Sequence, residues 1–277
     1  MKNYRTLILF FSLSLLLFSC KKEDDPQEQE EHNQGIGVGE IINETAPTSF
    51  TKKVLIEEFT GEWCGYCPDG AARITQIKQN HPDLVYAISY HDNDPFANSV
   101  CTLYEGLLNT PFFPSAAIDR VPYQGDLSFS RSHWAQVTNT RLNETAKMGL
   151  KLETTLNGNV LKVDAKFSGT EDNNEVYLTL ALIEDDVPES SPGAQSGAPA
   201  GYVHHDVFRE MITRNRGELT SIEANKVKLA TYDNIDVSAY DKNNLYIVAL
   251  LHEKTDNNTK EVFNVQSVKA GENKDFD

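Results

Sequence analysis

Residues 58–67 read Glu-Phe-Thr-Gly-Glu-Trp-Cys-Gly-Tyr-Cys. An apolar, strand-like run over residues 53–60 ends inside this stretch, and helical spacing begins just after it at Asp69. The pattern therefore places Cys64 and Cys67 where a strand passes into a helix. Exposed N–H groups and the positive end of the helix dipole favour the thiolate form of a cysteine at such a junction.

Three interpretations of this C-x-x-C pair compete. A zinc site needs four ligands, and the only other cysteines are Cys20 and Cys101, so zinc is the least favoured. A purely structural disulfide stays open, although closing so short a loop adds little stability. The spacing favours a redox pair most.

The segment resembles the active site of thioredoxin-fold proteins, and Gly65-Tyr66 is similar to the dipeptide between the cysteines of periplasmic disulfide isomerases. The resemblance implies catalytic roles for both cysteines. It also implies that Glu58 is a buried acid that moves protons for the inner cysteine, Cys67. The other interpretation of Glu58 is a strand residue facing water, because adjacent strand residues point to opposite faces and Glu57 is its neighbour.

The same resemblance implies that Pro114, in Phe113-Pro114-Ser115, is a cis-proline that faces the cysteine pair. Pro111 is the rival position. Cys101 falls in a helical pattern, where a buried structural thiol is favoured over a resolving cysteine.

Residues 50–148 are predicted to form an α/β thioredoxin-like domain. Strand-like and helical runs alternate there, with strands predicted at 53–60, 84–91 and 113–121 and helices at 69–80, 98–108 and 131–147. Asn98 is a predicted N-cap. This order predicts a mostly parallel central sheet covered by helices.

Residues 149–277 are predicted to form an all-β domain. The apolar period changes to two from Gly149, and Asn157-Gly158 is a hairpin signal. About seven short strands separated by turns predict an immunoglobulin-like sandwich.

One stretch of the second domain departs from the strand pattern. Residues 190–201 are rich in Ser, Pro, Gly and Ala, which predicts a surface loop, and His204-His205-Asp206 follow shortly after. Adjacent histidines on a strand point to opposite faces, so a metal site is disfavoured. We expect instead a structural or partner-facing role, with His204, His205 and Arg209 as the partner-facing candidates.

The N-terminus is predicted to carry a targeting signal. Residues 1–19 have a positive start and an apolar run over 7–18, the layout of a secretory signal, and Cys20 is the predicted lipidation site. Residues 20–49 are predicted to be a flexible acidic tether. The acidic residues after Cys20 are either a surface-export signal or a plain solvated linker, and both interpretations stay open.

The whole layout resembles the twenty-eight-kilodalton outer-membrane lipoproteins of Bacteroidota. The shared features are the signal, the tether, the C-x-x-C segment and a late Val-His-His-x-Val-x-Arg segment at residues 203–209. The resemblance covers roughly residues 50–270. It implies an outer-membrane location and two domains, a thioredoxin-like one followed by a sandwich.

Composition narrows the function. The chain has 277 residues and a formal net charge of −16, which disfavours nucleic acid and anionic lipid headgroups as partners. The sequence predicts no cofactor and no metal. We expect a lipid-anchored protein, with a membrane attachment through Cys20, that performs thiol–disulfide exchange on an envelope or extracellular protein. The alternative is a surface binding or adhesion lipoprotein in which the C-x-x-C pair is a structural disulfide.

Overall fold

The computed structural model describes residues 38–255 and 260–276. The predicted signal peptide, the lipidation site Cys20 and most of the predicted tether lie outside these residues. No helix within the described ranges is long and apolar enough to cross a membrane. The fold is rich in sheet, with three α-helices in the described part of the chain.

The helices are α1 Cys67–Asn80, α2 Ser99–Leu107 and α3 Trp134–Leu142. The strands are β1 Glu40–Ile42, β2 Val54–Thr60, β3 Val85–His91, β4 Ser115–Ile118, β5 Phe129–Ser130, β6 Met148–Asn157, β7 Val160–Gly169, β8 Asn173–Glu184, β9 Val187–Pro188, β10 Val203–His204, β11 Val207–Met211, β12 Glu218–Ile222, β13 Val227–Asp236, β14 Leu245–His252, β15 Val262–Lys269 and β16 Asn273–Lys274. Asn98 caps α2 as predicted, because its Oδ1 accepts hydrogen bonds from the N–H groups of Val100 and Cys101. Helix α3 is shorter at both ends than the predicted 131–147.

A nine-stranded sheet runs in the order β15-β14-β8-β11-β3-β2-β4-β5, and β12 also pairs with β8. Only the β2–β3 and β3–β11 pairs are parallel. The prediction of a mostly parallel sheet is therefore wrong. Strand β4 returns antiparallel to β2, and the strands contributed by the C-terminal half are antiparallel to one another.

A five-stranded sheet has the order β1-β13-β7-β6-β16. The Asn157-Gly158 hairpin joins β6 to β7, and Gly158 has a φ of 62° there, a conformation that glycine adopts without strain. Side chains of β6 and β7 share one apolar core with those of β8 and β14, so the two sheets pack face to face. The β-rich C-terminal half predicted from the alternating pattern is thus present.

Part of the predicted tether belongs to this sheet. Strand β1 pairs with β13, and Glu44 forms ion pairs with Lys151 and Lys166 at 3.1 and 2.9 Å. Backbone pairing and opposite charges hold this stretch, which composition alone assigned to a flexible linker.

The two faces of β2 are covered by different helices. Val54 and Ile56 share a core with α1 and α3, whereas Leu55 and Phe59 share one with α2. Because side chains alternate along a strand, Glu58 lies on the α1 face and Glu57 on the α2 face. Both are buried.

The nine-stranded sheet takes strands from both sides of the predicted domain boundary near residue 148. At the junction, the N–H of Ser89 on β3 donates to the carbonyl oxygen of Asp206, which precedes β11, at 2.7 Å. The division into two domains near residue 148 stays a prediction.

Candidate functional site

Cys64 and Cys67 form a disulfide at the start of α1. Their Cα atoms are 5.4 Å apart, and Cys67 is the first helical residue. Pro68 follows in the first helical turn, where the missing N–H of proline would be unsatisfied anyway. Cys64 and Cys67 are only 4% and 2% exposed. The pair lies at the helix terminus predicted from the sequence, but it is covered.

The carboxyl group of Glu58 is buried on the α1 face of β2. Oε2 accepts a hydrogen bond from Ser89 Oγ at 3.3 Å, while Oε1 has no hydrogen-bond partner among the described residues. Burial disfavours the charged form and raises the pKa of Glu58 to about 8, with the charge of Asp206 adding to the effect. At neutral pH the group is therefore mostly a neutral acid that holds a transferable proton. The buried position agrees with the sequence prediction.

Glu57, on the opposite face, is a contrasting case. Arg120 binds it through two hydrogen bonds of 2.7 and 2.9 Å, and Tyr90 donates a third at 3.2 Å. Its charge is thus paired inside the core, as buried charges require. Of two adjacent glutamates, only Glu58 lacks a cation bound to its carboxyl oxygens in the described structure.

Gly70 lets α1, Glu58 and Pro114 approach one another. A Cβ atom at position 70 would lie 2.7 Å from Glu58 Oε1 and 3.1 Å from Pro114 Cγ. The Phe113–Pro114 peptide bond is cis, as the resemblance implies, and Pro111 is not the cis position. Glu58 and Pro114 therefore both contact the helical turn that follows Cys67.

Residues 189–201, here called the strap, lie over residues 62–67, here called the cysteine segment. Gln195 Nε2 donates to the carbonyl oxygen of Cys64 at 3.1 Å, and the Ser196 N–H donates to that of Glu62 at 2.6 Å. The Ser190 N–H donates to Glu62 Oε1 at 2.7 Å, and its hydroxyl binds Oε2. Sequence composition predicted a surface loop, yet Gln195 is only 3% exposed.

His204 is buried beside the strap. Its ring packs edge-on against the rings of His91, Phe96 and Tyr202, with centroids 4.9 to 5.1 Å apart. Its Nε2 is 3.6 Å from Glu62 Oε1, beyond hydrogen-bond length. Burial, with a contribution from His91, lowers the pKa of His204 to about 4. The partner-facing prediction is therefore wrong for His204, because the inward face of its strand lies under aromatic side chains.

His205 points the other way and is exposed, as the alternation of a strand requires. Its Nδ1 lies 2.7 Å from Asp185 and 3.6 Å from Asp186, and these three side chains form a group that could hold a cation. Arg209 is largely buried by a 2.7 Å ion pair with Glu184, which limits what it can offer a partner. The side chains that could hold a cation are thus not those of the His204-His205-Asp206 run considered from sequence.

Exposed aromatic residues neighbour the two cysteines in the chain. Trp63 and Tyr66 are both exposed, and the Trp63 ring lies 5.2 Å from that of Phe113. Cys101 is a buried free thiol on α2, as expected, and burial raises its pKa. Sequence reasoning missed the strap contacts and Gly70; a serine-, proline- and glycine-rich run signals a loop but not what the loop covers.

Comparison with known proteins adds a family. The family model of outer membrane protein Omp28 matches residues 103–274. Among solved structures, HBP35 of Porphyromonas gingivalis superposes with a TM-score of 0.71 at 20% identity, covering 80% of this chain and 76% of that one. Protein AGR_C_4864 of Agrobacterium tumefaciens gives a TM-score of 0.53 at 13% identity, covering 82% and 98%.

Both structural likenesses concern the fold alone. No curated protein matches the chain by sequence. The family model spans more than half of the chain, from within α2 through β4, β5 and α3 and over nearly all of the β-rich half. The chain therefore belongs to the Omp28 family of outer membrane proteins.

Proposed function

We propose that this outer membrane protein performs thiol–disulfide exchange on envelope or extracellular proteins through Cys64 and Cys67, within a thioredoxin-like region spanning residues 50–148. The observation that carries the proposal is the position of Glu58. A buried acid with a raised pKa, bound to no cation among the described residues, lies against the helical turn that follows Cys67. The cis-proline Pro114 on the same turn and the disulfide at a helix N-terminus add support.

The exchange begins when a thiolate of a partner dithiol attacks Cys64 Sγ. The Cys64–Cys67 bond breaks, a mixed disulfide forms, and Cys67 leaves as a thiolate that takes the proton of Glu58. The second partner thiolate then attacks the partner sulfur and expels Cys64. The partner gains a disulfide, and the pair gains two electrons. The reverse sequence reduces a partner disulfide, with Glu58 accepting the proton of Cys67.

The test is capture of the mixed disulfide. With Cys67→Ser, the reduced protein should hold partner proteins covalently on Cys64, because the resolving thiol is gone. Cys64→Ser is the matched control and should hold none. Mild alkylation of reduced wild-type protein at slightly acidic pH should modify Cys64 well before Cys67. Absence of capture together with equal alkylation rates would refute the proposal.

A second candidate is a binding or adhesion protein in which the disulfide is structural. The observation that favours it is the cover over Cys64, which is 4% exposed under the strap. The reduction potential separates the two. A value below about −300 mV indicates a structural disulfide, and a value between roughly −120 and −270 mV indicates a catalytic one.

We also propose that Cys20 carries the lipid that anchors the protein, since the residues before it have the layout of a lipoprotein signal. Cys20→Ala should release the protein from membranes, whereas continued sedimentation with the outer membrane would refute the anchor. Protease treatment of intact cells tests display on the outer surface, and full protection there would place the protein on the periplasmic side.

A further inference from the structure

The strap meets the cysteine segment along its backbone. The carbonyl oxygens of Glu62 and Cys64 accept its Ser196 N–H and Gln195 amide, and Gly197 packs onto Gly65. These backbone contacts stand immediately beside Cys64, the sulfur that a partner has to reach. They are the kind of contact that an extended polypeptide makes with a protein surface.

The strap has a shape of its own. The carboxylate of Glu189 accepts backbone N–H groups from Gly193 at 2.9 Å, Gln195 at 3.1 Å and Gly201 at 2.6 Å. These bonds, with that from Gly193 the largest contributor, lower the pKa of Glu189 to about 2. The strap therefore closes on its own anion and needs little from the cysteine segment to hold its turns.

Two glycines of the strap distinguish what its internal turns need from what its docking onto the cysteine segment needs. Gly193 and Gly197 both have a φ of 78°, which glycine tolerates and other residues adopt only with strain. A Cβ at Gly193 would meet nothing within 4 Å, but one at Gly197 would lie 2.1 Å from the carbonyl oxygen of Gly65. Gly193 serves the turn alone, whereas Gly197 also lets the strap sit against the cysteine segment.

We infer that the strap occupies, within the chain, the place over Cys64 that an extended polypeptide partner takes, and that it has to lift before Cys64 can react. The partner this surface fits donates a backbone N–H to the Glu62 carbonyl oxygen. It also presents a residue with little or no side chain above Gly65. That a reacting partner takes this place rests on the proposed function. That the strap covers Cys64 does not.

The experiment measures how fast dithiothreitol reduces the disulfide in the native, full-length protein. Samples are quenched by alkylation and the modified thiols are counted by mass. Gly197→Ala should accelerate reduction at least about tenfold, which corresponds to about 1.4 kcal/mol of lost docking free energy. Gly193→Ala is the matched control, because it adds the same backbone strain at the same φ. It should stay within about twofold of the wild type, because its Cβ overlaps nothing.

Gln195→Ala gives a second route that creates no overlap. It removes the amide that binds the Cys64 carbonyl oxygen and should also accelerate reduction. Unchanged or slower reduction in both Gly197→Ala and Gln195→Ala would overturn the inference. Equal acceleration by Gly193→Ala would overturn it as well, since general loosening would then explain the effect.

Capture of partners separates this inference from the proposed function. In the Cys67→Ser background, Gly197→Ala should raise the yield of mixed disulfides on Cys64. Faster reduction by dithiothreitol without any capture would leave the strap as a cover and refute the exchange activity. Capture at equal yields with and without Gly197→Ala would refute the strap as an occupant of the partner's place while sustaining the activity.

Discussion

Replacing Glu58 by glutamine should make the protein more stable at alkaline pH and leave it nearly unchanged in acid. The pKa of Glu58 is about 8 in the folded protein and 4.5 in an exposed chain. The folded state therefore binds the proton more tightly than the unfolded state, and the free energy of unfolding falls as pH rises from about 4.5 to 8. Each pH unit in that window costs about 1.4 kcal/mol, so the full loss is about 5 kcal/mol.

A loss of that size is comparable with the whole stability of many domains, which is about 5–15 kcal/mol. Glutamine resembles the neutral carboxyl group in shape and cannot ionise. The two unfolding curves should therefore coincide near pH 5 and separate steadily, with Glu58→Gln the more stable by several kcal/mol at pH 8.5.

The assay is urea unfolding of the oxidised protein at half-unit steps from pH 5 to pH 8.5, for wild type and Glu58→Gln. Subtracting the two profiles cancels every other titrating group. Glu175→Gln, at an exposed position on β8, is the matched control and should give a profile parallel to that of the wild type. A difference between wild type and Glu58→Gln that changes by less than about 1 kcal/mol across this range would refute the raised pKa.

Three further outcomes follow from the packing around the disulfide. Gly70→Ala should lower the free energy of unfolding by roughly 1–3 kcal/mol, because its Cβ meets a buried carboxyl oxygen. Gly106→Ala, in α2 with nothing within 4 Å of its Cβ, should be neutral or stabilising by up to about 1 kcal/mol. Equal losses in the two variants would contradict the close approach at Gly70. Arg120→Met should cost about 3–5 kcal/mol by leaving Glu57 charged and unpaired, and the double variant with Glu57→Gln should recover part of the loss in thermal unfolding; no recovery would show that the pairing is not what matters. His204→Gln should reduce, by about 2–3 kcal/mol, the stability that is lost as pH falls from 6.5 to 4. The reason is that His204 has a pKa of about 4 in the folded protein, so the unfolded chain binds the proton more readily and acid favours unfolding. Identical acid profiles would contradict the burial of His204.

Local patterns predicted the N-terminal elements well. Apolar periodicity located β2, β3, α1 and α2 to within a few residues, and the predicted amide cap, Asn98, behaved as its chemistry requires. The resemblance to thioredoxin-fold proteins implied a buried Glu58, whereas the alternative, a face open to water, assumed that only one side of β2 is covered. Helices lie on both faces, so Glu57 and Glu58 are both buried and only the cation Arg120 distinguishes them.

What sequence could not supply is long-range pairing. Nothing near Val207 announces that β11 lies between β3 and β8, because the parallel partner β3 lies more than a hundred residues earlier in the chain and leaves no local signal. The burial of His204 and the docking of the strap both depend on that placement. For the same reason the partner-facing prediction for His204 failed, while the opposite orientation of His205, a local property, held.

The order of synthesis gives the β3–β11 junction one more consequence. If the signal proposed above directs export with the N-terminus first, Cys64 and Cys67 leave the translocation channel well before residues 189–211, which supply the strap, Asp206 and β11. The nascent chain thus presents its two thiols without a cover, open to any oxidant in the envelope. Once the later residues arrive and pair with β3, the bond is enclosed. This order therefore favours oxidation of the two thiols before the strap covers them. The stability of the finished fold at equilibrium does not show that order of events.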